Sequence, residues 1–152
     1  MKLTTKGRYA ITAMIDLALR NDDNATSLLD ISRRQDISLS YLEQLFSKLK
    51  AGSLVNSVRG PGGGYTLGKD PSEITLFEII TAVDENLDQT QCGGAMNCNN
   101  NKPCLTHYIW TDLTNKINEH MKSITLNDTL NRYDIKTIIN RREEKGHVHK
   151  FE

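Results

Sequence analysis

Between Arg59 and Tyr65 the chain runs Gly60-Pro61-Gly62-Gly63-Gly64, five residues with no apolar side chain to bury. Such a stretch cannot be core; it turns sharply and lets backbone approach something outside the chain closely. Leu54-Val55-Asn56-Ser57-Val58-Arg59 precedes it and Tyr65-Thr66-Leu67 follows. Alternation on both sides of a glycine-rich turn predicts a β-hairpin.

What comes before the hairpin fixes its meaning. Thr5 to about Arg20 is apolar at helical spacing, through Tyr9, Ala10, Ala13, Met14, Leu17 and Ala18, with Ile11, Ile15 and Leu19 on further faces. This predicts a helix buried on most sides, ended by the turn residues Asn21-Asp22-Asp23-Asn24. Ser27-Leu28-Leu29-Asp30 has the spacing of a capping box and opens a short helix to about Gln35. After the tight connection Asp36–Leu39, Ser40-Tyr41-Leu42-Glu43 reads as a second capping box. Its helix places Leu42, Leu45, Phe46 and Leu49 on one face and Ser40, Glu43, Gln44, Ser47 and Lys48 on the other, with Ala51-Gly52 as the stop. Two short helices after a buried one form a helix-turn-helix, and a hairpin directly behind it is a wing.

The expected fold is therefore mainly α with a small β-hairpin: a winged helix-turn-helix over residues 1–70, then further helix. Thr75-Leu76-Phe77-Glu78 caps a connecting helix within 71–90, with Phe77, Ile80 and Val83 toward the core. Residues 91–107 form a polar loop, and 108–133 a long helix with Ile109, Leu113, Ile117 and Met121 at four-residue steps, extended by Trp110 and Ile124. So narrow an apolar face has little of its own chain left to cover it, so a partner helix in a homodimer is expected, with packing back on the first domain as the alternative. The charged segment 134–152 is expected to be a mobile, disordered tail.

Composition sets the outer limits. The 152 residues carry 19 basic and 19 acidic side chains, but residues 1–70 hold ten Lys/Arg against seven Asp/Glu. A weakly basic front half is compatible with nucleic acid without establishing it. No apolar run approaches the roughly 18 residues of a membrane span, and the N-terminus lacks the apolar segment of a signal peptide. No nucleophile–base pair or acid pair is present, and the glycine run lacks the Lys-Ser/Thr of a P-loop, so an enzyme is not expected. Three cysteines, an odd number confined to 92–104, fit reduced thiols in a cytosol better than a disulfide framework.

Those thiols are Cys92, Cys98 and Cys104, followed after two intervening residues by His107. Free cysteines are commonly buried hydrophobes, but Gly93, Gly94, Asn97, Asn99, Asn100, Asn101 and Lys102 supply nothing to bury them. One disulfide with a thiol left over is open in an oxidised preparation. Otherwise three thiols and an imidazole make a four-ligand metal set. Zinc accepts that set but usually takes cysteines as close Cys-x₂₋₄-Cys pairs, absent here. The wider gaps suit a [2Fe–2S] cluster, whose two irons need separate ligands. With His107 bound as neutral imidazole, two ferric ions, two sulfides and three thiolates leave less negative charge than four thiolates would, raising the reduction potential. An imidazole can also be protonated and displaced, a property for sensing rather than scaffolding.

Taken together, Leu3-Thr4-Thr5-Lys6-Gly7-Arg8-Tyr9-Ala10, Ile37 to Phe46, Arg59 to Tyr65 and the Cys-Cys-Cys-His loop make the chain resemble the iron–sulfur-sensing members of a family of small bacterial winged-helix transcription factors. The resemblance covers roughly residues 1–130. It implies a cytoplasmic, nucleoid-associated homodimer on a palindromic operator in double-stranded DNA. It implies a [2Fe–2S] cluster on Cys92, Cys98, Cys104 and His107, supplied by the cluster assembly machinery whose genes the regulator controls. The cluster-free form would bind a second class of DNA site, with Glu43 involved in discrimination. An acidic side chain can accept from cytosine N4 in the major groove; as half of the Ser40 capping box, Glu43 would have a competing task. Ser40 and Gln44 are expected at base edges, Arg59 in the minor groove and Lys48 on phosphate. The rival reading is a zinc-stabilised winged-helix interaction module without cluster sensing.

Overall fold

The computed structural model describes residues 4–20, 24–90 and 92–149, with side chains to Arg142. Of the turn expected at 21–24, only Asn24 lies within the described residues.

Helix α1 (Thr5–Leu19) is the centre of the molecule, with Ala10, Ala13, Met14 and Leu17 sealed from solvent. Small residues on this face let its neighbours approach closely. Its N-terminal N–H groups have no cap from Thr4; instead the Glu85 carboxylate, far away in sequence, accepts from Gly7 N at 3.0 Å and from the Thr4 hydroxyl. Helix α2 (Leu28–Gln35) is capped by the Ser27 hydroxyl, which accepts from Asp30 N at 3.1 Å, and ends at Asp36 in the left-handed region. That reversal delivers the chain into α3 (Leu39–Ala51), whose Leu42, Leu45, Phe46 and Leu49 are buried as the spacing requires. The expected cap is displaced by two residues. Ser38, not Ser40, accepts from Tyr41 N, at 3.4 Å, because the helix opens at Leu39. Ser40 lies inside the first turn, and Glu43 has no part in the cap.

Strands β1 (Val55–Val58) and β2 (Gly64–Leu67) pair antiparallel, Val55 opposite Leu67 and Val58 opposite Gly64. Tyr65 continues the ladder onto Thr26, exchanging hydrogen bonds of 2.8 and 2.9 Å, and its ring lies 4.9 Å from that of Phe46. The wing is thereby fastened to the helix-turn-helix at its base. Gly64 is required there: a Cβ would stand 2.2 Å from the Thr26 carbonyl oxygen.

After a 3₁₀ turn at Pro71–Glu73 come α4 (Leu76–Ala82), α5 (His107–Ser123), α6 (Leu126–Leu130) and α7 (Tyr133–His149). The division expected after residue 70 is not a break in the core. Ile74, Leu76, Ile79, Val83 and Leu126 belong to the same apolar cluster as α1 and α3. Two short backbone bonds, Leu76 N to Ile124 O at 2.9 Å and Leu126 N to Ile74 O at 2.8 Å, bring these segments together.

Two expectations for the C-terminal half are corrected. The single helix expected over 108–133 is two helices, because Ile124 adopts an extended conformation and Thr125 with Asp128 forms a complete capping box that starts α6. The segment expected as a disordered tail is the helix α7. Ile135, Ile138 and Ile139 give it a short apolar stripe, its charged residues are good helix formers, and Arg142 donates to Gln35 Oε1 at 3.2 Å.

Candidate metal centre and nucleic-acid interface

The Asn- and Gly-rich composition of the cysteine loop has a geometric cause. Gly93, Gly94, Met96, Asn100 and Asn101 all have positive φ, a region that glycine and asparagine tolerate best. Asn99 and Lys102 exchange two backbone hydrogen bonds of 2.9 Å around Asn100-Asn101, a tight hairpin turn with positive φ at both central positions. That turn folds Cys104 back beside Cys98, whose Sγ accepts from Cys104 N at 3.0 Å. On the other arm, the Asp88 carboxylate holds Thr90, and the Thr90 hydroxyl accepts from Gly94 N at 3.0 Å. Gln89 N donates to the Thr114 hydroxyl at 2.9 Å, fixing the start of the loop to α5.

The loop converges on His107, the first residue of α5 and only 4% exposed. Its Nδ1 lies 3.5 Å from Cys92 Sγ and 3.8 Å from Cys98 Sγ. One ligand atom from each of Cys92, Cys98 and His107 falls within 4.8 Å of the others, a ligand group for a metal or iron–sulfur centre. Cys104 lies outside this compact group, beside Cys98, with its thiol 3.7 Å from Thr106 Oγ1. A cavity of about 50 Å³ opens among Thr90, Cys98, Cys104, Thr106, His107 and Trp110.

The thiols are electrostatically unequal. Partial desolvation opposes ionisation of Cys92, but N–H groups of Met96 and Gly94, the His107 ring and the Thr90 hydroxyl outweigh it and bring the thiol to about 6. The Cys104 amide draws Cys98 down, yet the Cys104 thiol, desolvation and the Cys92 thiol leave it raised. Cys104 is lowered by its bonds to Cys98 and Thr106. Thiolate is the metal-binding form, so Cys92 and Cys104 are the two prepared for it.

Ser40, Glu43, Gln44 and Lys48 are all exposed on α3, and Arg59 is exposed at the wing tip. With the cap at Ser38, the Glu43 carboxylate has no competing task within the helix. Lys48 does have a partner: its Nζ lies 2.9 Å from Asp84 Oδ2. That contact lowers the Asp84 pKa. Asp84 also receives Lys6 Nζ at its carbonyl, at 3.3 Å, and Glu85 beside it caps α1. The turn at 84–85 thus touches α3 and α1 just before the chain enters the cysteine loop. The sequence alone does not reveal this contact, because Lys48 and Asp84 are 36 positions apart.

The long helix is only partly unpartnered. Met121 and Ile124 pack against the core, and Lys122 Nζ lies 4.6 Å from the centre of the Phe77 ring. Leu105, Tyr108 and Ile109, at its beginning, are exposed.

Three comparisons bear on these sites. The Rrf2 family, described as iron-dependent transcriptional regulators, matches residues 3–132. The chain is 54% identical over 141 residues to the HTH-type transcriptional regulator IscR of Yersinia pseudotuberculosis, covering 93% of this chain and 86% of that protein. Among solved structures, T. potens IscR superposes with a TM-score of 0.71 at 37% identity over 86% of each chain. CymR, the global cysteine regulator of B. subtilis, gives 0.73 at 34% identity over 85% of this chain and 95% of its own.

Proposed function

The chain belongs to the Rrf2 family of transcriptional regulators, and from that premise we propose that it reports iron–sulfur cluster supply through a [2Fe–2S] cluster. Cys92, Cys98, Cys104 and His107 would hold the cluster, and cluster assembly genes would be its targets. The observation that carries this reading is the convergence of His107 Nδ1 on Cys92 and Cys98, with Cys104 set to one side. Three thiols and one imidazole, not all in one tight group, suit a two-iron centre better than a single ion. When bound, the cluster supplies an iron centre whose presence registers cluster supply. The N–H groups aimed at Cys92 and Cys98 disperse thiolate charge, and hydrogen bonds to ligand sulfurs tune such centres.

For DNA, Ser40 and Gln44 would read base edges from the start of α3, Glu43 would discriminate between two site classes, and Arg59 would enter the minor groove. Lys48 would contact phosphate after releasing Asp84, which makes that contact dependent on the turn leading into the cysteine loop. The protein would act in the bacterial cytoplasm, on nucleoid DNA, as a homodimer whose α5 helices meet through the exposed Leu105, Tyr108 and Ile109. A palindromic operator mirrors such a two-fold dimer. The cluster would come from the assembly machinery.

The decisive experiment is anaerobic purification followed by absorption spectroscopy with iron, sulfide and zinc assays. Visible bands with iron and sulfide each near two per chain are expected, as is their loss in His107→Ala. Stoichiometric zinc without iron, persisting after reconstitution, would leave a zinc-braced winged helix that does not answer to cluster supply. Footprinting with Glu43→Ala should alter the preference between two site classes; unchanged affinities for both would remove the discriminator role.

A further inference from the structure

We propose that Thr111 is a positioning residue for His107, holding the ring proton on Nε2 so that Nδ1 is free to ligate. This rests on the reading of His107 as a ligand. A neutral imidazole that binds through Nδ1 must carry its proton on Nε2. At 4% exposure, that N–H needs an acceptor within the protein.

Thr111 stands one turn further along α5, with its Oγ1 3.4 Å from His107 Nε2 and 2.9 Å from the His107 carbonyl oxygen. A hydroxyl has one proton, and a carbonyl oxygen can only accept. The shorter contact therefore takes the proton, and the oxygen facing Nε2 has lone pairs alone to offer. It accepts from Nε2–H and has nothing to donate to a bare Nε2. The opposite ring form could donate from Nδ1 to the Cys92 thiolate while no metal is bound, but it would set a bare Nε2 against those lone pairs and leave Nδ1 without the lone pair that a metal needs.

The back-bond to the carbonyl four residues earlier is an ordinary habit of helical threonine, repeated here by Thr12, Thr114 and Thr137. At Thr111 the residue four positions back is the candidate ligand, so the habit acquires a chemical consequence. Partners of this kind fix the ring orientation of metal-binding histidines, and their loss typically weakens metal binding about 10–100-fold.

The test compares the full-length wild type with Thr111→Val and Thr111→Ser. In the metal-free, reduced proteins, Co²⁺ titration followed by thiolate-to-cobalt absorption should show the valine variant binding at least about tenfold more weakly. The serine variant should stay close to wild type, with urea midpoints matched. Thr111→Ala serves as a second hydroxyl-free variant should valine disturb the helix. Equal Co²⁺ affinity in the variants that lack the hydroxyl would overturn the proposal, as would a serine variant as weak as valine. In reduced cluster-loaded protein carrying ¹⁵Nδ1-labelled histidine, pulsed EPR should find the labelled nitrogen coupled to the cluster; coupling to Nε2 instead would overturn it. If the wild type yields zinc and no iron, the cluster reading fails by itself, and the cobalt comparison still decides the role of Thr111.

Discussion

The winged-helix core and the cysteine loop are stabilised by different means. In the core, Phe46, Met14, Ile31, Leu42 and Leu49 are fully buried, and each contributes whether or not anything is bound. In the loop, residues 93–97 and 99–102 are all exposed, and order comes from positive-φ turns, Asx-type hydrogen bonds and one buried histidine. The first region folds on its own apolar surface. The second is shaped by short-range polar contacts around a ligand set, so its occupancy can change without unfolding what reads DNA.

The largest expected difference tests that contrast directly. Phe46→Ala should cost the metal-free protein about 3–5 kcal/mol in urea unfolding. Cys92→Ser should fall within about 0.5 kcal/mol, as a substitution away from the core does. A comparable loss for Cys92→Ser would mean that loop and core are one cooperative unit.

Asp16 sharpens the picture of the core, because this carboxylate is buried on α1 at 3% exposure and was not singled out by the sequence pattern. It accepts from Arg34 at 2.7 and 3.1 Å and from Gln35 at 2.7 Å, tying α1 to α2. Asp16→Ala leaves the guanidinium without its partner and should cost about 3 kcal/mol. That is the low end for a broken buried pair, because the Arg34 side chain keeps 31% exposure. Thermal and urea unfolding both read this loss.

Smaller effects distinguish the two serines at the start of α3. Ser38→Ala should cost about 1 kcal/mol through loss of the cap. Ser40→Ala should leave stability within about 0.5 kcal/mol while weakening operator binding in a gel-shift titration. The reverse order would restore the cap to Ser40.

The smallest effect lies where core and loop join. Desolvation pushes the Glu85 carboxyl up, but the Thr4 hydroxyl, the Gly7 amide and the Lys6 charge together hold it below its ordinary value. A depressed carboxyl contributes stability that is present at neutral pH and lost as pH falls through its folded-state value. Glu85→Gln should therefore remove stability at pH 7 and flatten the acid side of the stability profile. Unfolding midpoints across the acid range check both.

Much of this was legible in the residues because it is locally encoded. Ser27 and Thr75 do cap their helices, the tip between Val58 and Gly64 does turn a hairpin, and Leu42 to Leu49 do face inward. The cap of α3 was misplaced because Ser38 and Ser40 both precede an apolar stripe, and only backbone geometry distinguishes them. The α7 helix is hidden in the sequence because its charged residues mask the three isoleucines. At the candidate metal centre, composition points to three thiols and His107 as candidates but not to their grouping. The Asn100-Asn101 dipeptide is the sequence signal for the turn that lays Cys104 beside Cys98.

The sequence by itself determined the order of elements from α1 to α4, the wing and the presence of a thiol–imidazole set, since periodicity, caps and composition act over a few residues. Only the tertiary structure decided that α4 and α6 complete the core, that Glu85 caps α1, that Lys48 meets Asp84, and which nitrogen of His107 faces the thiols. Those contacts join residues far apart in the chain or depend on a ring's orientation. They are fixed by packing, which no local pattern records.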